Sequence, residues 1–179
     1  MKFSETEIPG CFILECFNQK DHRGGFVKTY NSALYKNYEL DFRIREIFYT
    51  WSKPGVFRGF HFQTPPYDHA KIVFCNYGLV KDFVVDLRKV SKNYGIPFEF
   101  ELSEKNRNAI VIPKGCAHGF YVPEKNSMLT YLVETEYSPE NDSGILWSSL
   151  EYDFNFDDPI ISERDQEFTK LEEFKSPFK

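Results

Sequence analysis

The chain of 179 residues is 41% hydrophobic and 27% charged, a globular balance, and it is long enough for a substantial core. Its formal charge of −5, with acids and bases intermixed, excludes the clustered basic face of a nucleic-acid binder, and no apolar run reaches membrane-spanning length. The opening MKFSETEIPG has no apolar signal-peptide core, so a cytoplasmic protein is expected.

No linker, repeat or low-complexity stretch interrupts residues 1–179, which read as a single domain. The first element is a helix over NSALYKNYEL, with Asn31 or Ser32 as its N-cap. The segment RGFHFQTPP (58–66) then reads as a strand closed by prolines, with Phe60 and Phe62 on one face and Gly59, His61 and Gln63 on the other. Lys71 begins a strand in which it shares a face with Val73 and Cys75. In GLVKDFVVDLR, Leu79, Phe83, Val85 and Leu87 fall near one face, while Asp82, Asp86 and Arg88 fall on the other. IPFEFELS alternates Phe98, Phe100 and Leu102 with Glu99 and Glu101. NAIVIPKG, GFYVP and SMLTYLVETEY continue the series, and Tyr131 shares a face with Leu129 and Val133. The tail SERDQEFTKLEEF predicts a second helix, with Ser162 ahead of acids suited to a first turn. Nineteen Phe and eleven Tyr suit strands, and short strands at this spacing predict an all-β jelly-roll barrel with a few short helices.

Cys11, Cys16, Cys75 and Cys116 match no zinc spacing and are expected to be free thiols among apolar neighbours. His61, Lys71 and Tyr131 are proton-transfer groups planted among apolar strand residues. Each alone has a structural explanation: a hydrogen-bonded histidine, a snorkelling lysine, a core tyrosine. All three on short strands of one small barrel point elsewhere, because a buried ammonium is costly without a partner or a task.

Pro113-Lys-Gly115-Cys-Ala-His118 resembles the second signature of the cupin superfamily. The first signature, His-x-His followed by Glu in metal-binding members, here reads His61-Phe-Gln63 followed by Lys71. A protonated lysine cannot ligate a cation and repels it, so no metal is expected. His69 and His22 lie in polar, turn-like stretches and read as solvated.

The runs DHRGGF (21–26), FRGFHFQTPPYDHAKIV (57–73), GLVKDFVVDLRKVSKNYG (78–95), IPKGCAHGF (112–120), YLVETEYSPE (131–140), GILW (144–147) and SERD (162–165) carry a resemblance spanning nearly the whole chain. The chain resembles the dTDP-4-keto-6-deoxyglucose 3,5-epimerases of rhamnose biosynthesis. That resemblance implies a cupin-type jelly roll, a homodimer, and no metal or organic cofactor. It makes His61 a base paired with Asp165, Lys71 the group near the sugar's C4 oxygen, and Tyr131 the acid on the opposite side. From the sequence alone, Asp165 would otherwise be a helix-start acid stabilised by the dipole. Arg23, Arg58, His118, Tyr137, Asp142 and Arg164 fall where relatives contact the diphosphate or sugar or hold the site, and Arg23 would reach the neighbouring subunit's site.

The implied chemistry suits these residue types. A C4 ketone acidifies the hydrogens on C3 and C5, and imidazole, with an intrinsic pKa of about 6.5, can take one. An ammonium stabilises the developing enolate, and a phenol can return a proton to the other face. Three positions depart from the relatives: Glu46-Ile47-Phe48 replaces a Gln-Asp-Asn run, Lys28 a glutamate, and Glu136-Tyr137 a tyrosine pair. They leave open a dTDP- or GDP-linked sugar, hexose or heptose, in surface-polysaccharide biosynthesis. Two other readings stand beside the epimerase: a nucleotide-sugar 3,4-ketoisomerase, and a sugar-nucleotide-binding cupin without turnover.

Overall fold

Period-two alternation builds the strands of this protein, whose computed structural model describes residues 1–156 and 158–179. In chain order they are β1 (Lys2–Glu5), β2 (Phe12–Glu15), β3 (Phe17–Asp21), β4 (Gly24–Lys28), β5 (Glu46–Ser52), β6 (Phe57–Gln63) and β7 (Lys71–Tyr77). They continue as β8 (Leu79–Asp86), β9 (Pro97–Ser103), β10 (Asn108–Ile112), β11 (Cys116–Tyr121), β12 (Ser127–Val133) and β13 (Asp142–Gly144). A six-stranded sheet runs β1-β2-β10-β7-β12-β5 and a five-stranded sheet runs β13-β6-β11-β8-β9, with β3 and β4 as a separate hairpin. The neighbours pair antiparallel, and the two sheets enclose a jelly-roll barrel as the spacing predicts.

Three apolar layers fix which way each side chain points. Between the sheets lie Val73, Val84, Leu102, Ile110 and Leu129. Outside the five-stranded sheet, Phe57, Phe60, Phe62, Phe83 and Val85 pack under the C-terminal segment against Phe154 and Phe178. Outside the six-stranded sheet, Leu14, Ile72 and Leu132 pack under Tyr35 and Phe42. Because the tail draws the β6 phenylalanines outward, the pleat turns His61 and Gln63 into the barrel. The same pleat corrects an impression left by β8. Its polar face is interior: Asp82 and Asp86 are both fully buried, and the Arg88 guanidinium donates to Asp86 at 2.8 and 2.7 Å.

Helix is as scarce as the sequence predicts. In α1 (Ser32–Lys36) the Asn31 side chain caps the amides of Ala33 and Leu34 at 3.1 and 3.2 Å. The tail helix α2 is shorter than expected, Glu163–Gln166. The chain leaves the helix so that Thr169 can accept from the Leu146 amide at 2.9 Å, and a short 3-10 turn follows at Leu171–Glu173. Among the described residues no helix is long and apolar enough to cross a membrane.

One glycine is required by a close approach. Gly59 sits at φ +139°, and a Cβ there would lie 2.5 Å from the Gly119 Cα on neighbouring β11. All four cysteines are free and buried. Burial pushes Cys11 up to about 12 and both Cys16 and Cys75 up to about 11, so they stay protonated thiols.

Candidate active site

The N-terminus of α2 and strand β6 meet at an imidazole–carboxylate pair. Ser162 caps α2 by accepting from the Asp165 amide at 3.2 Å, which points the nearly buried Asp165 carboxylate at β6. There Asp165 Oδ2 lies 3.0 Å from His61 Nε2 and accepts from the Gly59 amide at 3.1 Å. Burial works to raise this carboxyl, but hydrogen bonding and charge from His61, with help from Gly59 and Ser162, hold its pKa below the usual value. A carboxylate only accepts, so Nε2 carries the imidazole proton and Nδ1 holds the lone pair. Phe168 meets the His61 ring edge-on at 5.4 Å, fixing its tilt.

Lys71 opens β7 inside the barrel, with 8% of its surface exposed. Its ammonium donates to the His61 carbonyl at 3.4 Å. Burial brings its pKa down to about 8, against opposing pulls from Cys116, Asp82 and Asp142. Tyr131 stands on β12, its ring stacked on Phe48 at 4.8 Å and 11°, with the His118 ring tilted against it at 5.9 Å. Burial pushes the phenol pKa well above its ordinary value, so it holds its proton.

These side chains share one hollow. An inner chamber of about 190 Å3 is lined by His61, Lys71, Tyr131, Arg58 and His118. It shares His61, Lys71, His69, Phe48 and Val133 with an outer mouth of about 410 Å3, where Tyr137, Asp142, Arg164 and Glu46 stand. At the mouth the Tyr137 hydroxyl and Arg164 guanidinium both donate to Asp142 Oδ2, at 3.0 and 2.6 Å. In the chamber Arg58 Nε donates to Ser52 Oγ at 3.0 Å. The sequence-predicted residues therefore come together, with one exception. Arg23 sits in the turn of the exposed β3–β4 hairpin, donates to Asp21 at 2.6 Å, and lines neither cavity.

His69 corrects the sequence reading. It is half-buried rather than set in a solvated turn: it lines both cavities, and its Nδ1 lies 2.6 Å from Thr135 Oγ1. Burial, reinforced by the Lys71 charge, brings its pKa down to about 3, so it is a neutral wall. The turn-like run around it hid this, because no period-two pattern marks its direction. Gln63 proves structural, its amide donating to the carbonyls of Tyr67 and Glu136 and accepting from the Ser138 amide at 2.6 Å. Among the described residues no group of three or more His, Cys, Asp or Glu side chains converges as a metal cage.

The comparisons bear directly on this geometry. The family model described as dTDP-4-dehydrorhamnose 3,5-epimerase matches residues 5–173. The dTDP-4-dehydrorhamnose 3,5-epimerase of Methanothermobacter thermautotrophicus is 36% identical over 177 residues, 96% of this chain and 95% of the relative. The crystal structure of the Bacillus anthracis dTDP-4-dehydrorhamnose 3,5-epimerase, with TDP and PPi bound, superposes with a TM-score of 0.90 at 30% identity, over 94% of this chain and 98% of that one. The Legionella pneumophila dTDP-6-deoxy-D-glucose-3,5-epimerase in complex with dTDP-4-keto-L-rhamnose gives a TM-score of 0.91 at 28% identity, over 97% and 94%.

Proposed function

Because the chain belongs to the dTDP-4-dehydrorhamnose 3,5-epimerase family, we propose that it inverts C3, C5 or both of a nucleoside-diphosphate 4-keto sugar without a cofactor. His61 Nδ1 takes the hydrogen α to the ketone as a proton, and the electron pair moves onto the C4 oxygen. Asp165 holds the imidazolium that results. Lys71 stabilises the enolate oxygen, and Tyr131 protonates the carbanion carbon from the far side. The observation that carries this reading is placement: His61 belongs to the five-stranded sheet and Tyr131 to the six-stranded sheet, yet both line the same chamber of about 190 Å3. Base and acid on facing walls are what inversion needs.

Incubation with the ketosugar in deuterated water is the test. Deuterium should appear at C3, C5 or both, and the product should retain its C4 carbonyl. No exchange with any of a panel of thymidine- and guanosine-linked 4-keto sugars overturns the reading. Saturable binding without exchange would make the protein a binding cupin instead, and a carbonyl moved to C3 would make it a ketoisomerase.

The names of the relatives favour a thymidine-linked substrate. A second reading, a GDP-linked heptose, is favoured by Glu46 at the mouth. A carboxylate there can accept from the two adjacent donors on guanine's Watson–Crick edge, whereas thymine offers one donor between two carbonyl oxygens. The product of either would feed synthesis of a capsule or lipopolysaccharide from the cytoplasm. The panel decides between the bases.

We also infer a homodimer built on β5. This edge strand exposes Ile47 (64%), Tyr49 (66%) and Trp51 (49%), an apolar edge that would otherwise invite aggregation. The β3–β4 hairpin exposes Phe26 (56%) and carries Arg23, which in a dimer could complete the partner's mouth. Sedimentation should give a dimer for the native protein and a monomer for Trp51→Glu; a native monomer at micromolar concentration rejects the dimer.

A further inference from the structure

The proposed reaction leaves one buried charge without a task. Asp82, on β8, is fully buried. Its Oδ2 accepts from His118 Nε2 at 2.8 Å, and its Oδ1 has no hydrogen-bond partner among the described residues. A buried carboxylate with an open lone pair is expensive unless a cation faces it. His118 in turn lines the inner chamber beside Lys71 and Tyr131. We propose that Asp82 is a positioning residue of this site: its carboxylate fixes the tautomer of His118 and supplies the interior negative charge that keeps Lys71 an ammonium ion.

The charges facing Lys71 leave few other candidates. From β6 and the loop before β7 come His61 and His69, and from β11 comes His118; as neutral rings these supply no anion, and as cations they would oppose the ammonium. Arg58 is a fixed cation on the chamber wall, and Tyr131, from β12, keeps its proton. Cys116, from β11, would support the ammonium as a thiolate, but burial holds it as a thiol. Asp142, from β13, sits at the mouth and already accepts from Arg164 and Tyr137. Of the other buried carboxylates, Asp86 is matched by the Arg88 guanidinium and Asp165 by His61, which leaves Asp82 as the interior anion acting on Lys71. Burial pushes its carboxyl upward, while His118 and Lys71 work to keep it ionised. Burial pushes His118 downward, so its ring is neutral, and with its proton on Nε2 facing Asp82 Oδ2 the pair as assigned carries the negative charge on Asp82. His118 Nδ1 is then left as an acceptor for a sugar hydroxyl.

The inference uses the epimerase reading for the purpose of the ammonium, but the charge pairing can be measured without turnover. In full-length Asp82→Asn, the 15N titration of Lys71 Nζ should move its midpoint down by about one to two pH units, the order expected for the loss of one unit charge acting through a protein interior. The basic limb of kcat for deuterium exchange should move down with it, since the ammonium is lost as pH rises through its pKa. Asp82→Glu should restore both midpoints even where imperfect packing lowers Tm. A Lys71 midpoint unmoved in folded Asp82→Asn overturns the proposal, as does a midpoint equally displaced in Asp82→Glu. The unmodified protein gives an arm that needs no variant: His118 should show protonated Nε2 and unprotonated Nδ1, and the opposite tautomer overturns the tautomer assignment. If no ketosugar exchanges but the Lys71 midpoint moves, the charge pairing stands and the epimerase reading falls.

Discussion

His61→Asn is expected to lose deuterium exchange by about 10²- to 10⁴-fold, the range contributed by a positioned general base. The substitution isolates chemistry from folding. The Asn amide overlays Nδ1 rather than Nε2 and does not span the 3.0 Å bond to Asp165 Oδ2, so the carboxylate, 3% exposed, is left to its remaining partners. Asp165 retains the Gly59 amide at 3.1 Å and its place at the start of α2. What disappears is Nδ1, the one lone pair of the dyad that is free to take a proton. Melting temperature and sugar-nucleotide affinity should therefore change little while exchange collapses. Exchange persisting near the native rate in a folded His61→Asn protein would transfer the role of base to another group and dismantle the dyad. His69, which lines the same cavities, and His118, opposite His61 across β6 and β11, are the alternative imidazoles, so His69→Asn and His118→Asn are the natural controls.

The barrel and the orientation of its catalytic wall were legible because two physical signals coincide in the sequence. Phe60 and Phe62 flank His61 at period two, and the aromatic tail ending in Phe178 supplies a surface for them, so the imidazole is forced inward. Lys71 with Val73, and Tyr131 with Leu129, follow the same rule on β7 and β12. Asp165 was legible only through the family resemblance. Its partner lies 104 residues away, and nothing local distinguishes it from an ordinary acid in a first helical turn. His69 and Asp82 show where the pattern fails. His69 lies outside any strand, so alternation says nothing of its direction. Asp82 alternates correctly, but in a barrel buried on both faces an acid on the polar-looking side is interior rather than solvated. The short tail helix is a related case, since the tertiary pairing of Thr169 with Ile145 overrides a local pattern that favours continuation.

Tyr131→Phe should separate two events that His61→Asn removes together. The ring is held by stacking on Phe48 and by burial against the barrel core, and phenylalanine preserves both contacts. Only the hydroxyl is lost. Because burial holds the phenol pKa far above neutrality, Tyr131 is an acid across the working pH range, with no part in removing the first proton. With His61, Asp165 and Lys71 intact, deprotonation continues and the enolate forms. It is then reprotonated from the His61 side, with retention, and solvent deuterium enters without inversion. Inverted product should fall by about 10²-fold or more, while exchange at the same carbon falls by much less. Mass and configuration of the recovered sugar give the two rates from one incubation. Equal losses in both would mean that the phenol acts before the enolate forms, for instance by donating to the C4 oxygen, and the two-wall account of inversion would have to be abandoned.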